Sequence, residues 1–202
     1  SERIVIDTTR GPAYVDLDAP AHLPALSLLV LGHGAGGGVD APDLVAVRDA
    51  ASDHGVIVAR VTQPIGWRVG ALPLPPRTSM RHGARWWVSY AVDTPHRHWS
   101  SVVVQWRSGR VPTAVALKAD GVVALAFPLR PPRQPDRSRL SELPVGIPTL
   151  VVTGDRDPFG VPPAGPQREV AVLPGEGHAL NRHPSEVAQV VMKWLRVNGW
   201  AR

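Results

Sequence analysis

At 202 residues, with no internal repeat, the chain has the size of one domain around a single core. The absence of cysteine excludes a disulfide framework and a thiol nucleophile, and leaves any zinc site to histidines and carboxylates. The net charge of +5 raises the question of nucleic acid, but the excess is local: the window Arg77–Pro112 holds Arg77, Arg81, Arg85, Arg97, Arg107 and Arg110 against Asp93 alone, and the rest of the chain balances.

Nucleic-acid binding would rest on that window and would show as salt-sensitive retention on DNA. No apolar run approaches the roughly 18 residues of a membrane span, and the first residues lack the basic and apolar regions of a signal peptide. The expectation is a cytoplasmic protein with neither a membrane nor a nucleic-acid partner. His96-x-His98 is too sparse a pair for a metal site, so no metal is expected.

Arg3–Asp7 and Ala13–Leu17 carry short alternations around Thr8-Thr9-Arg10-Gly11-Pro12, which predicts an antiparallel hairpin at one edge of a sheet. Asp7, Asp16 and Asp18 read as solvated. Leu28-Leu29-Val30-Leu31 then runs without a polar break into Gly32-His33-Gly34-Ala35-Gly36-Gly37-Gly38. A short apolar run that ends in a glycine loop and enters a helix pattern reads as a buried parallel strand whose backbone turns over a binding site. Peptide groups without side chains approach a ligand closely and offer N–H groups to an anion or a developing oxyanion. The Gly-Lys-Ser/Thr ending of a P-loop is absent, as is the Gly-x-Gly-x-x-Gly of a dinucleotide helix.

Asp40 is the expected N-cap of the following helix, with Pro42 in its first turn, Asp43 at N3, and Leu44, Val47 and Ala51 as its apolar stripe up to Gly55. Val56–Val61 is the next buried strand. Strand, helix and strand imply a right-handed crossover and a parallel sheet. Thr62–Pro76, rich in Pro and Gly and holding Trp67 and Arg68, reads as a loop at the carboxyl edge of that sheet. Val122–Ala126 is a further apolar strand, followed by the proline-stiffened Phe127-Pro128-Leu129-Arg130-Pro131-Pro132. Ile147–Thr153 ends in Gly154-Asp155-Arg156-Asp157-Pro158-Phe159-Gly160, and Glu169–Leu173 leads to Gly175-Glu176-Gly177-His178. A closing helix from Pro184 places Val187, Val190, Val191, Trp194 and Leu195 on one face before Asn198-Gly199. The fold class is α/β: a mostly parallel central sheet flanked by helices, a three-layer sandwich in one domain over 1–202.

The order Gly32-His33-Gly34-Ala35-Gly36, Gly154-x-x-Asp157-Pro158-Phe159-Gly160, Gly175-x-Gly177-His178 resembles the small α/β-hydrolases related to dienelactone hydrolases, over nearly the whole chain apart from about Arg77–Pro112. The resemblance implies a nucleophile, acid, histidine order, with the acid at Asp157 after the seventh family strand and the base at His178 after the eighth. Two loops leaving adjacent parallel strands at one edge can bring a carboxylate to imidazole Nδ1, which fixes the tautomer whose Nε2 takes the nucleophile's proton. Asp155 competes for the acid role and otherwise caps its loop. Ala35 and the residue after the nucleophile, Gly109, are the expected oxyanion-hole donors. His33, Gly34 and Gly36 are expected along the substrate, His33 as an orienting residue rather than a base. A small acyl substrate, such as an ester, is implied, and no cofactor.

The family's nucleophile elbow is Gly-x-Ser-x-Gly. The corresponding place reads Val102-Val103-Val104-Gln105-Trp106-Arg107-Ser108-Gly109-Arg110, so Ser108 has Trp106 and Arg110 where the glycines stand. An α/β-hydrolase-like binding or scaffold protein without a working nucleophile is the rival reading. From Arg77 to Pro112 there is no Leu, Ile, Phe or Glu, yet four of the seven tryptophans fall there. Signals that contradict an otherwise consistent fold need a cause. Back-translated with GC-rich codons and read one frame over, Pro76–Ser89 gives a capped helix pattern and Trp99–Gln105 gives Leu-Val-Val-Gly-Gly-Arg-Ser, while the other frame across Gln105–Pro112 gives Ser-Gly-Ala-Arg-Val-Ala-Cys. Joined, these restore a strand and a Gly-x-Ser-x-Gly elbow. Single-base slips near Pro76, Gln105 and Pro112 would therefore account for the segment, with the nucleophile about where Gln105 is written.

Overall fold

Long aliphatic runs without helical periodicity build the sheet. The computed structural model describes residues 2–8, 11–33, 38–62, 101–106, 119–131, 134 and 136–202, with backbone alone at 7, 8, 11 and 101–106. Among these residues the strands are β1 (Glu2–Thr8), β2 (Gly11–Asp18), β3 (Ser27–Gly32), β4 (Val56–Thr62), β5 (Ser101–Trp106), β6 (Gly121–Leu125), β7 (Thr149–Gly154) and β8 (Arg168–Leu173). They form one sheet in the order β1-β2-β4-β3-β5-β6-β7-β8. β1 and β2 are the expected antiparallel hairpin, and β2 also runs antiparallel to β4; every later pairing is parallel.

The order of the strands locates a crevice. From β3 the chain passes through a helix to β4 on one side, whereas β5 lies on the other side of β3 and the winding continues outward to β8. The direction reverses between β3 and β5, which pair with Leu31 opposite Gln105. Ligands in open α/β sheets bind outside the carboxyl ends of the strands at such a switch point. β3 ends there at Gly32, and β5 ends there at Trp106. In the chain as written Gln105 is a residue of β5, opposite Leu31 and Val123.

Alternation along the strands splits the core between two faces. Leu29, Leu31, Val56, Val58, Val123, Leu125, Leu150 and Val152 pack beneath two helices, α1 (Pro42–Ser52) and α2 (Pro184–Val197). Leu28, Ile57 and Ala59 on the opposite face join Ile6 and Val15 of the hairpin, while Val122, Ala124 and Val151 join Phe127 and Leu143. The stripe Leu44, Val47 and Ala51 of α1 is buried as its spacing requires, and so is that of α2, with Val190 only partly covered. Past α2 the chain turns at Gly199 (φ 75°) and folds Trp200 back against Trp194, ring centroids 5.2 Å apart. Ser27 Oγ donates to the Trp200 carbonyl at 2.7 Å, so the last residues brace the amino ends of β3 and β6. No helix among the described residues is long and apolar enough to cross a membrane.

Two details differ from the expectation. Asp40 does not cap α1. Pro42 occupies the first helical turn and holds Ala41 in extended conformation (φ −58°, ψ 137°), so Ala41 is the N-cap and no side chain caps the helix. Asp40 instead accepts from Arg60 Nη1 at 2.9 Å, while Arg60 Nε reaches Asp18 at 3.2 Å. Asp16 and Asp18 are likewise not solvated acids. Asp16 is 8% exposed and takes a bidentate pair from Arg3 at 2.7 and 3.0 Å, and the Arg3 hydrogen bond, above all, holds its carboxyl below the ordinary range despite burial.

Candidate active site

The acid loop is built by backbone before any side chain acts. β7 ends at Gly154, where an added Cβ would lie 2.0 Å from the Glu176 carbonyl oxygen, so only glycine lets the loops after β7 and β8 meet. Asp155 N–H donates to Leu173 O at 3.1 Å and Arg156 N–H to Glu176 O at 3.0 Å, which lashes the two loops together. Asp157 N–H returns to Gly154 O at 3.2 Å, and this turn swings the Asp157 side chain inward. Asp155 points elsewhere: its Oδ1 accepts the Gly175 N–H at 2.8 Å, a loop-to-loop tie at the surface.

Asp157 and His178 meet directly. His178 Nδ1 lies 2.9 Å from Asp157 Oδ2, with the carboxylate fully enclosed and the imidazole about two-fifths exposed. An ionised carboxylate only accepts, so Nδ1 carries the proton and Nε2 is left as a base. The Phe159 N–H donates to Asp157 Oδ1 at 2.9 Å, and Thr153 Oγ1 lies 3.3 Å from Oδ2. Burial pushes this carboxyl up, but the hydrogen bonds from His178, Phe159 and Thr153, with the charge of His178, outweigh it and hold the pKa below the ordinary value. The Phe159 ring meets the imidazole edge to face, centroids 4.5 Å apart at 89°. The loop after β6 closes over the same place, since Arg130 N–H donates to Phe159 O at 2.9 Å.

The other sequence-derived candidates divide. His33 stands at the exit of β3, partly buried, at the switch point. Gly34, Ala35, Gly36, Ser108 and Gly109 lie outside the described residues. Ser108 follows Trp106, the last residue of β5, by two positions. Phe159, Thr153 and Glu176 are partners the sequence reading passed over. The signal available for Glu176 was an acid between two glycines directly before the histidine.

Comparison with known proteins fits this layout. A family model described as an alpha/beta hydrolase domain matches residues 25–171, from just before β3 into β8. The chain belongs to the α/β-hydrolase family. Solved hydrolases share the fold at low identity. A Xanthomonas campestris protein described as an α/β serine hydrolase without a lid superposes with a TM-score of 0.69 at 18% identity, covering 97% of this chain and 94% of its own. Est1E from Butyrivibrio proteoclasticus, with ferulic acid bound, gives 0.72 at 16% identity over 96% and 98%. A Pyrobaculum calidifontis esterase gives 0.67 at 16% identity over 98% and 85%. Nothing among curated proteins matches the chain. Asp157 follows β7 and His178 follows β8, acid before histidine along the chain, as in the order of α/β-hydrolases.

Proposed function

We propose that this α/β-hydrolase is a serine hydrolase of small acyl substrates, esters or similarly activated groups. The observation that carries the reading is the 2.9 Å contact between the enclosed Asp157 carboxylate and His178 Nδ1. Such a pair has one catalytic use in this fold, which is to hold an imidazole in the tautomer that accepts a nucleophile's proton. Ser108, just past the carboxyl end of β5, is the proposed nucleophile in the chain as written.

In the proposed reaction Ser108 Oγ attacks the acyl carbonyl while His178 Nε2 takes its proton. Asp157 steadies the imidazolium, and the backbone N–H groups of Ala35 and Gly109 receive the oxyanion. His178 then passes the proton to the leaving alcohol; water attacks the acyl-serine and gives a proton to His178 Nε2, which returns it to Ser108 Oγ as the carboxylic acid leaves. His33, Gly34 and Gly36 would lie along the substrate. Neither metal nor cofactor is needed, and a small molecule is the expected partner.

Trp106 and Arg110 around Ser108 support the second reading, a hydrolase-like binding protein that has lost its elbow. Hydrolysis of short activated esters by the purified chain separates the two: turnover above the buffer rate supports the enzyme, and its complete absence supports the binding protein.

A further inference from the structure

Glu176 sits two residues before His178, and its carboxylate is fully enclosed. Burying an acid costs free energy that only good hydrogen bonding offsets. Here Oε1 accepts the backbone N–H of His183, the N-cap residue of α2, at 2.5 Å, with His183 Nδ1 a further 3.3 Å neighbour. In a capping box a glutamate inside the first turn makes the bond to the N-cap N–H. Glu176 makes it from outside the helix and so ties α2 to the loop that carries His178.

The backbone of Glu176 is held just as firmly. Its carbonyl accepts the Arg156 N–H at 3.0 Å and abuts Gly154, and its own N–H donates to Leu173 O at 3.4 Å. One residue therefore joins three bodies: the acid loop through its carbonyl, the end of β8 through its N–H, and α2 through its side chain. Residues 176–183 form a loop closed by that side chain, and His178 lies inside it. Within the loop Leu180 is held at φ 50°, a conformation costly for a side chain larger than glycine, which the closure has to maintain. The second oxygen, Oε2, is enclosed without a partner among the described residues, so the bond from Oε1 is what fixes the carboxylate.

We infer that Glu176 is a positioning residue for His178: its reach to the His183 N–H closes the 176–183 loop and sets the imidazole against Asp157. The inference rests on the reading of Asp157 and His178 as a working pair. It is the length of the side chain that matters, since Oε1 acts as a hydrogen-bond acceptor. Glutamine keeps the length and an accepting oxygen, whereas aspartate keeps the charge and loses the reach.

The test is the ring-nitrogen NMR spectrum of the full chain labelled with ¹⁵N-histidine, which reads the tautomer of His178 whether or not the chain turns over an ester. The native chain and Glu176→Gln are expected to hold His178 as the Nδ1–H tautomer. Glu176→Asp, still folded by circular dichroism, is expected to show averaged tautomers. If esters are hydrolysed, Glu176→Asp is expected to lower kcat about 100-fold, as misplacement by an ångström does, with KM little changed. A folded Glu176→Asp with the native tautomer overturns the inference. So does a folded Glu176→Gln that loses it, and that variant decides the matter alone if aspartate prevents folding. Asp157→Asn checks the premise: histidine signals unchanged by that substitution would overturn the pair itself, a result distinct from failure at Glu176.

Discussion

Gly154 and Glu176 touch backbone to backbone, close enough that a Cβ on Gly154 would fall 2.0 Å from the Glu176 carbonyl oxygen and 2.3 Å from its carbonyl carbon. Neither partner is the movable end of a flexible side chain. Gly154→Ala is therefore expected to push the β8 loop away from β7 and to destabilise the chain by about 1–3 kcal/mol, the range for overpacking. Chemical denaturation compared with the native chain checks it, and an unchanged midpoint would show that the two loops yield without cost.

A second expectation concerns acid. The folded Asp157 pKa lies below its ordinary value, so the group contributes stability above the ordinary carboxylate range and loses that contribution as pH falls through the lowered folded value. Unfolding free energy measured from about pH 6 down to about pH 2 should fall less steeply in Asp157→Asn than in the native chain. Equal slopes would mean that Asp157 has no lowered pKa to lose.

At the other end of the sheet, Trp200 is 8% exposed and fills the space over Gly121, where an added Cβ would lie 2.4 Å from the indole. Trp200→Ala is expected to cost about 3–5 kcal/mol, as truncation of a buried large aromatic does. Thermal or denaturant unfolding reads this, and a loss under about 1 kcal/mol would show that the last residues pack without bracing the sheet.

The sheet was legible in the sequence because its signal is local. Runs such as Leu28–Leu31 and Val122–Ala126 are too short and too apolar for a surface helix, and the stripe from Val187 to Leu195 has helical spacing. Details set by distant partners were not legible. Asp40 looked like a cap, but a buried Arg60 from β4 holds it and Pro42 shifts the cap to Ala41. Asp16 looked solvated because Arg3 reaches it only across the hairpin pairing. Of the site, the placement of Asp157 and His178 at neighbouring strand ends came from their motif order and their resemblance to a family. Glu176, Phe159 and Thr153 act through contacts that arise only once β7 and β8 lie side by side.

The proposed triad roles carry their own expectation. With an activated ester, Asp157→Asn and His178→Ala should each reduce turnover by on the order of 10⁴-fold, whereas Asp155→Asn, which keeps an oxygen to accept the Gly175 N–H, should stay within about tenfold of native. Similar losses at Asp155 with little change at Asp157 would transfer the acid role.

Residues Arg77–Pro112 carry a separate one. If base slips displaced the frame there, the natural gene encodes other residues, and a peptide map of its product should contain a Gly-x-Ser-x-Gly peptide in that region. Peptides with Trp86-Trp87 and Gln105-Trp106 as written would contradict the slip.

The proposed hydrolase needs an activated serine past β5 that works with Asp157 and His178. Labelling with a fluorophosphonate, followed by intact mass and peptide mapping, reads that serine. One covalent adduct is expected, on the serine of the peptide that follows β5, together with its loss in His178→Ala. A native chain that takes up no adduct and hydrolyses no short activated ester would contradict the proposed hydrolase.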